Sequence, residues 1–480
     1  MAHRRGRLED RLDKEAAEYT SSLGFDREIL EAVVCVNAAH LKALAKAGIL
    51  SWEECEEAVK QLTGLLSAYI DYTSHEFEDI HMIVENYLAS KSPRAAAMLS
   101  LGKSRNDAVV TAVKIRLRER IIRLAEEHLK LVIALLERAS KDAYTLFPLY
   151  THLQRAAPAT FGFVMHSYAV RLVKLIPRIK HVYSLCLDLP LGSAAVAGTS
   201  VGLDVSYEAG LLGFKDVCEN ALEATASRDF IIDAISLCSE IALVLSCLAE
   251  ELVLYSSEEF KLLDFPDALS ATSSIMPQKK NPVVAEIART KAGETLGLLV
   301  SAYSIAARQP SGYSLDLQQI TPKLWKALDE IENSLTVVAK AIRQVRVNEE
   351  KASEACLPPV AIVELANHLA TRHGVPFRQA HNAAGAVSKL MTENRLDEKT
   401  LRESLERFGI PGSAVSLQEL SELLNPGEVV KRYATPQSAN PDKVKAKAEK
   451  LMEEAEKELS WFREEGEKLK RKLETLLGLS

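Results

Sequence analysis

The stretch FIIDAISLCSEIALVLSCLAEELVLYS, from Phe230 to Ser256, limits this chain more than any other, because it is apolar on nearly every side of a helix. Such a segment either crosses a membrane or is buried by other protein. Asp233, Glu240, Glu250 and Glu251 lie within it, and a carboxylate in the hydrocarbon centre is costly. The spacing therefore predicts a helix enclosed in a bundle or between subunits. Partners for it are legible. AVVTAVKIRLRERIIRLAEEHLKLVIALLERA repeats apolar positions at three- and four-residue intervals and predicts a helix from Asn106 to about Asp142; another runs from about Pro282 to Arg308.

No sustained run of alternating, valine-rich or aromatic strands accompanies these helices, and neither GxGxxG nor GxxxxGK[ST] occurs. The fold expected is all-α. Breaks at LASKSPR (88–94), LPLGSAAVAGTSVGLD (189–204) and ACLPPVA (355–361) suggest a three-part helical protein with a long central helical bundle. The divisions are 1–102, 103–353 and 354–480. The last stretch, Pro441 to Leu477, is a highly charged helix with interspersed Leu, Met, Trp and Phe. It either docks one apolar stripe on its neighbours or offers a coiled coil to a partner.

With 480 residues, 47% of them hydrophobic, the chain can bury a large core; its net charge of -7 excludes the broad basic face of a general nucleic-acid or anionic-membrane binder. Seven scattered cysteines without a CxxC pair suggest neither a disulfide framework nor a zinc site, and fit a reducing cytosol. No signal peptide is legible behind the basic N-terminus.

Three polar clusters interrupt the helical text: LGKSRNDA (101–108), YTHLQRAAP (150–158) and SSIMPQKKNP (273–282). In the first, Ser104 or Asn106 reads either as a helix N-cap or as a ligand contact. In the second, His152 precedes what looks like a helix start and reads either as a structural histidine or as a catalyst. The third sets Lys279 beside Lys280 between Pro277 and Pro282. The prolines keep the segment irregular, and two adjacent ammonium groups repel unless an anion arrives between them. An anionic ligand is expected.

SSIMPQKKNP resembles the signature of the fumarase and aspartase superfamily, and its form is similar to that of the argininosuccinate lyase family. SSLGFDREI, EDIHMIVE, SRND, THLQRA, PLGSAAVAG, SRDF, YSLDLQ and GVPFRQAH occur in the same order as in that family. The resemblance implies a fumarase/aspartase-like fold and cleavage of argininosuccinate to arginine and fumarate, the last step of arginine biosynthesis, by a cytoplasmic homotetramer with shared active sites. It implies a small-molecule substrate and no cofactor, metal, nucleic acid or membrane. By family position Ser273 is the base, His152 protonates the departing nitrogen with Glu286 orienting it, and Lys279 with Asn281 steadies the carbanion's carboxylate. Ser104, Arg105, Asn106, Thr151, Tyr313 and Gln318 are expected to bind substrate.

HEFEDIH (75–81) contains metal-ligand residue types, yet its two histidines stand six residues apart, which fits neither i,i+3 nor i,i+4 on a helix. His81 is expected instead to support the site through a hydrogen bond. Ser100, Leu101, Lys103, Ala157 and Thr321 depart from the family's usual residues, and a lysine at 103 keeps a charge while losing the two-point fork of arginine. The alternatives are another fumarate-releasing enzyme, such as an adenylosuccinate lyase, or a non-catalytic crystallin-like protein on the same scaffold.

Overall fold

The computed structural model describes residues 12–73 and 77–479. His3 to Leu8, His75 and Glu76 lie outside the described residues. The apolar stretch forms helix Asp229–Tyr255, which buries Ile231, Ile235, Cys238, Ala242, Leu245 and Leu252 at three- and four-residue steps. It packs against helices Val283–Ala306 and Thr321–Gln344. By length and composition it is long enough to cross a membrane, but 56% of its apolar window is buried inside the protein. Its carboxylates meet protein partners: Glu240 pairs with Arg178 at 2.7 Å and Glu250 with Arg289 at 3.0 Å.

Helix Arg105–Lys141 spans 37 residues, about 55 Å at 1.5 Å per residue. Ser104 caps its start in a reciprocal box with Asp107, satisfying amide groups that have no partner one turn back. At its far end Arg138 donates to the carbonyls of Ile342 (2.9 Å) and Val345 (2.6 Å), which locks it to the end of helix Thr321–Gln344. Helix Phe161–Val173 crosses close by at Gly162, where an added Cβ would stand 2.5 Å from the Ala139 carbonyl oxygen. Only glycine permits that approach.

Helix Pro441–Leu477 lies along Arg105–Lys141 and buries Val444, Ala448, Ala455, Leu459, Phe462, Leu469 and Leu473. Its apolar stripe is thus used within the chain. One large core unites these helices with the N-terminal ones, and a second, smaller core around Leu365, Leu369, Val387, Leu401 and Leu405 lies within 361–429.

The chain is all-α apart from small two-stranded pairings, and one of these corrects the reading of His152. Leu146–Thr151 and Gln154–Thr160 form an antiparallel hairpin, so His152 stands at a strand turn and not at a helix start. Pro148 and Pro158 sit opposite one another; a helix interior would reject both, while Phe147, Tyr150 and Thr151 suit a strand.

Candidate active site

Two ends of the bundle carry the predicted site residues. At the first end, the start of helix Arg105–Lys141 meets the 3-10 turn Leu315–Gln319, and Arg105, Asn106, Tyr313 and Gln318 line a cavity of about 210 Å³. Three of them are already held by protein. Arg105 is paired with Asp79 and, at 3.1 Å, with Glu85. Asn106 donates to the Ala195 carbonyl (2.9 Å) and Gln318 to that of Thr20 (3.0 Å). Ser104 is the N-cap, its Oγ accepting from the Asn106 amide at 3.3 Å. The cap reading of Ser104 therefore holds, and the cap fixes where the next two residues enter the helix.

Asp26 and Arg228 line the same cavity; they stand within SSLGFDREI and SRDF, but nothing in either segment singles them out as site residues. Ser22 and the Ile80 amide donate to Asp26 at 2.6 and 3.3 Å; burial nevertheless pushes the Asp26 carboxyl up to about 7, because desolvation outweighs both donors. Burial lowers Arg228 to about 10. His81 is buried, its Nε2 has no hydrogen-bond partner among the described residues, and burial drives the ring down to about 3. It therefore does not support the site through that nitrogen, and its neighbour Asp79, bound to Arg105, makes the contact expected of it.

At the other end, His152 occupies the two-residue turn between paired Thr151 and Gln154, with φ of 55° at His152 and 56° at Leu153. Two successive left-handed residues make the turn that matches strand twist, but neither is a glycine or asparagine, so the turn is strained by about 1–2 kcal/mol at each residue. Thr151 and His152 are exposed. Tyr150 of this hairpin packs against Tyr255 and, edge-on, Phe260 (centroids 5.9 and 5.5 Å), which places the hairpin where helix Asp229–Tyr255 ends. A cleft of about 1050 Å³ opens beside it, lined by Gln154, Arg155, Lys261, Lys351 and Pro358, but Ser273 and Lys279 take no part in its walls.

The signature segment follows that helix as the loop of a small hairpin, with Ala271–Thr272 paired to Lys280–Asn281. Ser273 Oγ accepts from the amides of Ile275 (3.4 Å) and Met276 (3.3 Å). Lys280 is held by Asp264 (2.9 Å) and Asp267 (2.6 Å). This corrects the picture of two lysines waiting for one anion: two aspartates already neutralise Lys280. Lys279 is exposed and has no ion pair among the described residues. Glu286 lies one turn into helix Val283–Ala306, and within the single chain it makes no hydrogen bond to His152 among the described residues.

The two ends are far apart. Arg228, on the first cavity, and Tyr255, beneath the hairpin, bracket one helix of 27 residues, about 40 Å long. One chain therefore does not bring its Arg105 cluster to its own His152 or Ser273.

Residues 6–297 match the model of the Lyase family, and residues 360–431 match that of the argininosuccinate lyase C-terminal region. The chain is 37% identical over 462 residues to an argininosuccinate lyase of Methanothermobacter thermautotrophicus, covering 94% of this chain and 98% of that protein. It is 33% identical over 480 residues to that of Methanocaldococcus jannaschii, covering 99% of each. Among solved structures, a variant of EDDS lyase with bound fumarate superimposes with a TM-score of 0.86 at 24% identity, covering 97% of this chain and 94% of that one; at this identity the likeness speaks for the fold. Matches of this extent mean that the chain belongs to the argininosuccinate lyase family.

Proposed function

We propose that this protein cleaves argininosuccinate to arginine and fumarate by β-elimination, in active sites shared between the copies of a homotetramer. The observation that carries the reading is the pair of amide donors on Ser273 Oγ. Serine is a weak base in water, and preorganised amides lower the energy of its oxyanion without reorganisation. The Ser273 oxyanion takes the proton from the carbon beside a succinyl carboxylate. Electrons flow onto that carboxylate, which Lys279 and Asn281 steady. They return to form the fumarate double bond as the carbon–nitrogen bond breaks, and His152, oriented by Glu286, gives a proton to the departing guanidino nitrogen. Ser104, Arg105, Asn106, Thr151, Tyr313 and Gln318 hold the carboxylates and the amino-acid end.

Two features support shared sites. The clusters lie at opposite ends of one chain, and helix Val283–Ala306 leaves Leu296, Val300 and Tyr303 on one face, 53%, 57% and 65% exposed. Exposed apolar rows of this kind mark interfaces. The cysteines all stand free, which supports a cytosolic setting. The test is fumarate absorbance with argininosuccinate and adenylosuccinate offered separately to wild type and Ser273→Ala. Argininosuccinate turnover that collapses at least a hundredfold in the variant is expected. Turnover of adenylosuccinate alone would refute the substrate, and an unimpaired variant would refute the base.

A further inference from the structure

Behind the loop that carries Ser104 to Asn106 lies a buried couple that the mechanism does not use. His40, on helix Leu30–Lys46, and Glu208, on helix Val205–Leu212, are 1% and 0% exposed. His40 Nδ1 and Glu208 Oε1 are 2.9 Å apart, and His40 Nε2 is 3.0 Å from the Leu101 carbonyl oxygen. A carbonyl oxygen only accepts, so Nε2 carries a hydrogen. Nδ1 of a neutral ring is then an acceptor, and its partner must donate. Glu208 can donate only as a carboxylic acid.

Two arrangements satisfy these distances: a neutral acid on a neutral ring, or a carboxylate on an imidazolium. The surroundings choose between them. Glu208 Oε2 is buried without a hydrogen-bond partner among the described residues, a lone acceptor that is tolerable on a neutral acid and costly on a carboxylate. Burial raises Glu208 to about 8 and lowers His40 to about 3, against the opposing pull of Lys103 on the carboxyl. Asp204, the other charged group that acts on Glu208, is paired with Lys46 at 2.7 Å, and Lys103 itself is also drawn to Asp107, which accepts from the amides of Ser104, Gly192 and Ala194.

The couple holds the Leu101 end of this loop, whose other end is fixed by the cap at Ser104. Leu101 is followed by Gly102 at φ +76°, pressed on Leu203 so closely that a Cβ would lie 2.9 Å from its Cδ1. Next come Lys103, bound to Asn37 of the His40 helix, and then Ser104. We propose that His40 and Glu208 are positioning residues for the substrate loop 101–106, with Glu208 protonated and donating to His40 Nδ1 while His40 Nε2–H holds the Leu101 carbonyl. The positioning clause rests on the function proposed above.

Glu208→Gln separates the two arrangements, because a glutamine amide donates to Nδ1 as the acid does but cannot pair with an imidazolium. Glu208→Leu removes the donor altogether. Three readouts are taken at pH 7: argininosuccinate kcat and KM, hydrogen exchange of the peptide 100–107, and solid-state nitrogen spectra of histidine-labelled protein, with His40 assigned by its absence in His40→Asn. The expected result is a neutral, Nε2-protonated His40 in wild type. Glu208→Gln should stay within about threefold of wild type in kcat/KM with unchanged exchange. Glu208→Leu should lose ten- to a hundredfold in kcat/KM with at least tenfold faster exchange in that peptide. A cationic His40, or Glu208→Gln as damaged as Glu208→Leu, overturns the protonation. Unchanged exchange in Glu208→Leu overturns the positioning. If Glu208→Leu does not fold, the spectrum of wild type and the behaviour of Glu208→Gln still decide. If wild type turns over no argininosuccinate, the function fails while exchange and spectrum still judge the couple.

Discussion

Replacing each signature lysine by methionine separates two roles that adjacent sequence positions conceal. Lys279 is exposed and unpaired among the described residues, so Lys279→Met removes no stabilising contact and leaves the melting temperature within about 2 °C, because most surface substitutions change stability little. Its cost should be kinetic. Loss of one preorganised positive donor to a developing oxyanion lowers kcat by about 10²–10³, or about 2.7–4 kcal/mol of transition-state stabilisation. Lys280 behaves differently, since its ammonium is 2.9 Å from Asp264 and 2.6 Å from Asp267. These pairs are open to solvent, with side-chain exposures of 38%, 59% and 95% for Lys280, Asp264 and Asp267, so screening makes their loss a small matter for stability. The backbone pairs Ala271–Asn281 and Thr272–Lys280 still close the loop. Lys280→Met should therefore lower kcat by less than about tenfold. The assay is initial-rate fumarate absorbance on argininosuccinate, with thermal unfolding alongside. Lys279→Met within tenfold of wild type, or Lys280→Met as impaired as Lys279→Met, would refute the assignment.

Two further outcomes are expected. Asp26 has its folded pKa raised by burial to about 7, against 3.8 unperturbed, so its contribution is complete below pH 4 and fades as pH climbs through 7. The melting temperature of wild type relative to Asp26→Asn should therefore decline from pH 4 to pH 8, and a flat or rising difference would contradict the burial argument. Leu296→Glu places a charge on the exposed face shared with Val300 and Tyr303. Light scattering should show a smaller assembly, with argininosuccinate turnover lost in parallel; a fully active tetramer would remove that face from the interface.

Periodicity along the chain gave away most of the architecture. Helix Pro441–Leu477 has the bounds read from sequence, and Arg105–Lys141 and Asp229–Tyr255 differ from expectation by one residue at each end. Apolar spacing of three and four residues is a local property, and a capping serine is recognised within three residues of its partner. The hairpin around His152 escaped because its strands are short and carry a proline each, so that neither alternation nor β-branching accumulates. Its strained turn has no asparagine or glycine to announce it.

The chemistry of the signature loop was likewise legible as a motif, since serine, lysine and asparagine stand close together between prolines. What each group is free to do was not. Asp264 and Asp267 claim Lys280, Asp79 and Glu85 claim Arg105, and Glu208 reaches His40 across 168 residues. Sequence by itself determined where helices run and which reactive groups exist, because backbone preference and side-chain spacing act over one or two turns. Tertiary structure alone decided which of those groups are neutralised, buried or left available, because charge pairing and desolvation depend on which distant segments the helix packing brings into contact.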